Sequence, residues 1–191
     1  MTERALTQNA LLMTSTNEDA LAAAVREHSR LVYRIAYSVS RNHHDAEDAT
    51  QETFMRVLRY RRKLEGIDDL KTWMARIAWR VAVEQAKKRP AASLGERQVA
   101  DAISQLRVGG KTAEELASTR EMATMLESLI AALPESLRDA IRLSTVDELL
   151  PSEIAQMLET SEASVRSRLF RARQILKDKL SALEVQHGTR R

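Results

Sequence analysis

Cysteine is absent from this chain of 191 residues, which excludes disulfides and thiolate metal sites and is typical of a reducing compartment. Only 5 glycines and 3 prolines interrupt the sequence, and aromatic residues make up 4% of it. No run of about 18 apolar residues is present, and the N-terminus lacks the basic start and apolar core of a signal peptide. We therefore expect a cytoplasmic protein without membrane insertion.

The abundant residues are helix formers. Long stretches use alanine, leucine, arginine, glutamate and glutamine, which favour helices. The composition predicts an all-α fold of two small helical bundles with essentially no sheet. The net charge of +3 is small, so the positions of the charges carry more information than their sum.

Breaks in the helical pattern divide the chain into segments. Residues 1–17 show no sustained period and are interpreted as a mobile leader. Residues 18–89 form a first predicted domain, 90–111 a flexible linker containing a glycine pair, 112–183 a second domain, and 184–191 a tail. The two domains share helical content but no internal repeat.

The first predicted domain contains four helices. Its apolar positions predict two helices from Glu18 onward with a break near residues 27–29, a third helix opened by Asp45, and a fourth over residues 70–88. Gly66 and the acidic pair that follows it mark a loop before the fourth helix.

The fourth helix combines cations with two tryptophans. Trp73 shares an apolar stripe with Ile77 and Val81, so core packing and a DNA contact are equally open for it. Trp79 lies off that stripe and is expected to be exposed. Such a mixture suits single-stranded or melted DNA, because cations attract phosphates and bases stack on aromatic rings.

Histidines and carboxylates crowd the start of the third helix. Adjacent His43 and His44 point in different directions on a helix, and no further ligand follows at the spacing of a zinc site, which argues against a metal or hydrolase site. Asp45, Asp48 and Glu52 instead predict an acidic face. That face is either solvated or a docking surface for an arginine-rich helix.

Residues 151–177 have the pattern of a helix-turn-helix, which ends a predicted four-helix bundle. Pro151 opens a short helix, residues 159–161 break it, and Ser161 is placed to cap the second helix. The second helix has an apolar stripe that must face inward, formed by Val165, Leu169, Ala172 and Leu176.

Cations crowd one flank of the second helix. Arg166 lies beside the small Ser164 and Ser167, so it can approach base edges and pair with guanine. The surrounding cations predict phosphate contacts and salt-dependent affinity. Phe170 is exposed by the helical period, and the sequence leaves open a DNA contact or partial burial against the first helix.

Two segments, which cover most of the chain, resemble a known family. The first resembles region two of bacterial extracytoplasmic-function (ECF) sigma factors, of the sigma-70 family, in DAEDATQETF and WMARIA. The second is similar to region four in ALPESLR, EIAQML and SVRSRLFRAR. The resemblance implies a factor that joins RNA polymerase and directs promoter-specific initiation, with no enzymatic activity and no cofactor.

The resemblance also implies partners and residue roles. The expected partners are core RNA polymerase, through its beta-prime clamp coiled coil and beta subunit, promoter DNA, and an anti-sigma protein. The linker would thread toward the RNA exit path. The residues implied in polymerase docking are Asp45, Asp48, Gln51, Glu52 and Phe54. Those implied in minus-ten binding are Arg62, Lys63, Asp68, Lys71, Trp73, Arg76, Arg80, Lys87 and Lys88. Those implied in minus-thirty-five recognition are Ser164, Arg166, Ser167, Phe170 and Arg171.

The chain departs from the family pattern at a few positions. Arg80 stands where asparagine is usual and a later aspartate is Glu84, so stronger phosphate contact and a lost base-specific hydrogen bond are expected. Glu159 stands where a turn glycine is common, which requires a left-handed conformation or another turn at a cost of about 1 kcal/mol. Pro151 replaces a frequent aromatic residue or serine.

Two other function classes make different predictions. A stand-alone helix-turn-helix regulator would bind duplex DNA tightly without polymerase and would tolerate charge reversal at Asp48 and Glu52. A metal-dependent hydrolase built on His43 and His44 would retain metal after purification.

Overall fold

The computed structural model describes residues 3–60, 66–88 and 113–188, with side chains for 21–60, 66–88 and 121–182. These residues contain helices and no strand, which confirms the predicted all-α fold. The predicted linker, the loop residues 61–65 and the last three residues lie outside the described ranges. The helices are α1 (Glu3–Ser40), α2 (His43–Arg59), α3 (Leu70–Lys87), α4 (Ala113–Ala131), α5 (Glu135–Leu143), α6 (Pro151–Met157) and α7 (Glu162–Gly188).

Helices α1, α2 and α3 pack against one another and form the N-terminal domain. Its core is fully buried and includes Leu31, Ile35, Val57, Met74 and Val81. Burial of such apolar side chains is the main stabilising contribution to a small domain.

Helix α1 is continuous, so the predicted break near residues 27–29 is wrong. The polar residues there lie on the outer side of the helix, where they leave the backbone hydrogen bonds intact. The Ser29 hydroxyl donates to the Arg26 carbonyl within the helix, at 3.1 Å. Residues 3–17 also belong to α1, while the mobility predicted for the leader stays a prediction.

Side-chain caps fix the starts of α2 and α3. The Asn42 amide oxygen accepts the Asp45 N–H at 3.0 Å, so α2 begins at His43, two residues before the predicted start. The Asp69 carboxylate accepts the Thr72 N–H at 2.9 Å, and α3 begins at Leu70 as predicted. Each cap satisfies a backbone donor that the first helical turn leaves unpaired.

Helices α4 to α7 form the C-terminal domain. Pro134 precedes α5, and α6 begins at Pro151, as the proline positions predict. Leu143, Ile154 and Val165 are buried between the helices of this domain.

The helix-turn-helix of α6 and α7 is confirmed. The predicted stripe of α7 is buried, from Val165 at 0% exposure to Leu176 at 8%. The Ser161 hydroxyl accepts the Ser164 N–H at 3.2 Å, as the predicted cap requires. Glu159 takes the left-handed conformation, with φ of 51°.

The two domains also contact each other. Helix α6 packs against α3, and α5 packs against α1. The helix-turn-helix therefore lies beside the basic α3 helix of the N-terminal domain.

Candidate nucleic-acid interface

Helix α7 buries its apolar side in the C-terminal domain, which leaves the opposite side exposed to solvent. Because Leu169 packs into the core, its neighbour Phe170 points away from the domain and is 71% exposed. The alternative of partial burial for Phe170 is therefore wrong. Arg166, Ser167 and Arg171 are exposed on the same helix, and Ser164 is half-buried at its start.

The exposed face of α7 is cationic and has few internal partners. Arg166 pairs with Glu162 one turn earlier, and Arg171, Arg173 and Lys177 are exposed to solvent. A helix with arginine, serine and an aromatic ring on its free side offers donors to phosphates and base edges. The geometry is that of a helix able to enter a DNA groove.

The structure contradicts the expectation for one of the two tryptophans of α3. Trp79 is only 6% exposed, so its predicted exposure is wrong. Helix α3 packs against α1, α2 and α6, and a helix with three neighbours buries more than one apolar stripe. Trp73 is half-buried and meets the ring of Tyr60 edge-on, with 6.4 Å between ring centres. Part of Trp73 thus stays open to solvent.

The charged residues expected to hold the minus-ten strand are in several environments. Asp68 is exposed, and Lys88 bonds to Glu84 one turn earlier at 2.7 Å. Arg76 has a buried Nε atom with no hydrogen-bond partner. Lys71 joins a carboxylate of the C-terminal domain at 2.7 Å. Arg80 and Lys87 also pair with carboxylates of that domain, while Arg62 and Lys63 lie outside the described residues.

Glu84, one of the departures from the family pattern, is a local acceptor. The Lys88 ammonium, and then the Arg56 guanidinium, donate to its carboxylate and lower its pKa. The 3.0 Å bond from Arg56 joins α2 to α3. Glu84 therefore connects the basic C-terminal end of α3 to α2.

The acidic face of α2 is smaller than the sequence predicts. Asp45 is 7% exposed, so it does not join the face, because it lies in the first turn where α2 packs on the domain. Asp48 and Gln51 are exposed, and Glu52 holds Arg56 at 2.7 Å. Phe54 is partly buried and packs against the core.

The histidine pair at the start of α2 is split between two environments. His43 forms a hydrogen bond with the Tyr33 hydroxyl, and its ring lies 5.1 Å from that of Tyr37. His44 is exposed. The described side chains contain no group of three or more histidines and carboxylates placed to hold a metal ion.

Sequence reasoning missed the carboxylates that face α3. Glu148, Glu153 and Glu159 lie within hydrogen-bonding reach of its cations or those of α1, although they are distant along the chain. No local spacing relates residues so far apart, so only the packing of the two domains shows the pairing.

In the described part of the chain, no helix combines the length and the apolar character needed to cross a membrane.

Both domains match described sequence families. Sigma-70 region 2 matches residues 24–90, and Sigma-70, region 4 matches residues 123–176. Together the two regions include α2, α3, α5, α6 and most of the described part of α7.

Curated relatives carry the same family name. The chain is 31% identical over 157 residues to the ECF RNA polymerase sigma factor SigE of Mycolicibacterium smegmatis, covering 82% of this chain and 60% of that protein. It is 32% identical over 165 residues to the ECF RNA polymerase sigma-E factor of Escherichia coli K12, covering 81% and 84%. The chain therefore spans less than two thirds of the first relative and most of the second.

Solved structures support the fold. The structure of CnrH in complex with the cytosolic domain of CnrY aligns with a TM-score of 0.58 and 24% identity, covering 91% of this chain and 95% of that one. The sigma factor RpoE, in complex with the anti-sigma factor NepR from Bartonella quintana, aligns with a TM-score of 0.53 and 21% identity, covering 82% and 94%. With both regions matched and in the expected order, this chain belongs to the sigma-70 family of RNA polymerase sigma factors, in its ECF group.

Proposed function

We propose that this chain joins core RNA polymerase and directs transcription initiation from promoters with minus-ten and minus-thirty-five elements. The observation that carries the proposal is the exposed cationic face of α7, in a helix-turn-helix that shares a chain with a second basic helix and an acidic one. The protein itself makes and breaks no bond, and the polymerase supplies the chemistry.

The C-terminal domain would read the minus-thirty-five element through the start of α7. Arg166, Ser167, Phe170 and Arg171 are exposed there, and Ser164 lies at the entry to the helix. Arginine can pair with guanine edges, the serines allow close approach, and the Phe170 ring can contact thymine methyl groups. The cations farther along α7 would position the helix on the phosphates.

The N-terminal domain would hold the melted minus-ten strand on the loop before α3 and on α3 itself. Lys71, Arg80 and Lys87 offer positive charge along the helix, and the half-buried Trp73 and the exposed Tyr60 beside it offer aromatic rings for stacking. Cations combined with aromatic faces are what an unstacked strand requires.

The acidic side of α2 would dock on the polymerase. Asp48 and Gln51 are exposed, and Glu52 lies next to them, which suits an arginine-rich coiled coil. Asp45 is buried and would support the start of the helix instead. An anti-sigma protein is a further proposed partner, since both structural neighbours above are complexes with a second protein.

In vitro transcription with purified core polymerase tests the proposal. The wild-type protein is expected to bind the core and to direct initiation from a subset of promoters. Phe170→Ala should keep core binding and reduce initiation at promoters that depend on a minus-thirty-five element. Absence of both core binding and initiation in the wild type would contradict the proposed function.

The docking helix is tested by charge reversal. Asp48→Lys should weaken core binding roughly tenfold, because it places a cation against an arginine-rich surface. Glu27→Lys reverses an exposed acid on α1 and serves as the matched control, with binding unchanged. Equal tolerance of both changes, together with tight duplex binding by the free protein, would favour the stand-alone regulator.

A further inference from the structure

Surfaces of opposite charge meet where the two domains touch. Among the described side chains, each ion pair between the domains has its base in the N-terminal domain and its acid in the C-terminal domain. The bases, called the basic face below, are Arg30, Arg34, Arg41, Lys71, Arg80 and Lys87. The acids, called the acidic face, are Glu127, Glu135, Asp147, Glu148, Glu153 and Glu159.

Lys71 is the most enclosed point of contact on α3. Its ammonium donates to the Glu153 carboxylate at 2.7 Å and to the Glu148 carbonyl at 2.8 Å. The Glu153 carboxylate also accepts the Leu150 N–H at 2.6 Å, which fixes it at the start of α6. The helix-turn-helix thus presents an oriented carboxylate to a cation of the minus-ten surface.

Arg34 makes a second contact between the domains, in which its guanidinium bonds to two carboxylates. Its guanidinium bonds to Asp147 at 2.7 Å and to Glu148 at 3.2 Å, and the bond to Asp147 raises the pKa of Arg34. Arg34 is on α1 and the two acids lie between α5 and α6. The contact therefore extends across the interface rather than along a single helix.

Backbone conformation points to the same interface. The non-glycine residues with positive φ in the described ranges are Arg41, at 50°, and Glu159, at 51°. Both side chains join the domains, since Arg41 bonds to Glu127 at 2.9 Å and Glu159 pairs with Arg80. Arg80 and Glu159 are also two of the positions at which the chain departs from its family pattern.

The basic face overlaps the proposed DNA surface. Lys71, Arg80 and Lys87 belong to both, and carboxylate oxygens can bind these cations much as phosphate oxygens would. We propose that in the free protein the acidic face docks on the basic face, and that single-stranded DNA must displace it. This inference rests on the proposed minus-ten role of α3.

The ion pairs between the domains are weak enough for the contact, called the latch below, to open and close reversibly. Arg80 and Glu159 are 61% and 66% exposed, and Lys87 and Glu135 are exposed to a similar extent, so each pair contributes little alone. A DNA strand offers a row of phosphates and can replace several pairs together. Binding of DNA and closure of the domains then exclude each other.

Energy transfer between two dyes measures the docking in the full chain. Because the sequence has no cysteine, labels can be attached specifically at Glu47→Cys on α2 and Lys179→Cys on α7, both exposed positions. The wild-type background should give high transfer, independent of protein concentration. The triple variant Asp147→Asn/Glu148→Gln/Glu159→Gln should give lower transfer. Equal transfer in the two backgrounds would show that these acids do not hold the domains together, which would overturn the proposal.

Affinity for a single-stranded minus-ten oligonucleotide, measured on the unlabelled proteins, tests the competition. The triple variant should bind roughly three- to tenfold more tightly than the wild type. The control Glu27→Gln/Glu121→Gln/Asp178→Asn carries the same charge change at exposed acids outside the acidic face, and it should bind far less tightly than the triple variant. Equal gains in the two variants, or opening without any gain, would overturn the competition.

A charge exchange tests the Arg80 to Glu159 pair itself. Glu159→Arg should lower the energy transfer, and Arg80→Glu/Glu159→Arg should restore it, whereas failure of the exchange to restore transfer would remove this pair from the latch. Transcription by the same proteins with core polymerase reports separately on the proposed function. If the acidic face docks on the basic face but the protein directs initiation from no promoter, the proposed function is contradicted and the contact between the domains is not.

Discussion

Glu159 has a backbone conformation that glycine would adopt without strain. Its φ of 51° is left-handed, and a side chain at such a position costs about 1 kcal/mol. We expect Glu159→Gly to raise the free energy of unfolding by about 1 kcal/mol at high salt, where the loss of the exposed pair with Arg80 has little effect. Denaturant unfolding of the full chain measures the change.

The matched control for this prediction is Glu159→Ala. Alanine removes the same carboxylate but keeps a side chain at positive φ, so it should give no gain in stability. If alanine and glycine stabilise the protein equally, the carboxylate and not the backbone is the source of the effect.

Asp139 gives the stability a defined pH dependence. Asp139 lies on α5, and its burial there raises its pKa, although Arg138 at 3.9 Å opposes the shift. A raised pKa in the folded state means that ionisation of Asp139 costs stability as the pH rises through that value. Asp139→Asn should therefore be more stable than the wild type at pH 7, and the difference should vanish in acid.

Unfolding curves recorded from acid to neutral pH measure the Asp139 effect. Asp178→Asn, an exposed change on α7, should leave the pH profile of the wild type almost unaltered. A wild type that exceeds Asp139→Asn in stability at neutral pH would show that the charge of Asp139 is favourable in the fold.

At the scale of one element, Leu169 and Phe170 are adjacent on α7 but have different roles, one in the core and one on the surface. Leu169 is 8% exposed and Phe170 is 71% exposed. Leu169→Ala should lower the free energy of unfolding by about 3 kcal/mol, because it leaves a cavity in the C-terminal core. Phe170→Ala should change it by less than about 0.5 kcal/mol while reducing promoter-dependent initiation. Thermal unfolding and transcription of the two variants separate folding from recognition.

The spacing of apolar residues was sufficient to predict the orientation of a helix that has one buried face. The stripe of α7 and the turn before it follow from apolar spacing, proline and serine, because these residues act locally. Trp79 on α3 was mispredicted, since spacing indicates the direction of a stripe but not how many helices surround it. The predicted exposure of Asp45 was wrong for a related reason, because the packing of the first turn of α2 depends on the helices around it.

At the scale of the molecule, the order of the motifs along the chain was enough to predict the family. It could not predict how the domains meet. Arg80 and Glu159 are far apart in sequence, and each is a surface charge until α6 is placed beside α3. Among the paired acids of the second domain, the sequence pattern drew attention to Glu159 alone, and it did so for its place in the turn and not for its charge.

Closure of the two domains should depend on salt, because ionic contacts between exposed groups are screened as the Debye length falls, from about 30 Å at 0.01 M to about 3 Å at 1 M. In the free wild-type protein we expect energy transfer between the domains to decrease over this range. The variant Asp147→Asn/Glu148→Gln/Glu159→Gln should respond less, since the pairs of Arg34 with Asp147 and Glu148 and the pair of Arg80 with Glu159 are gone. The pair of Arg41 with Glu127, whose side chains are 22% and 24% exposed, is screened less, so part of the contact should survive. A wild-type signal that is constant with salt would mean that apolar packing between α3 and α6, and not charge, holds the domains together.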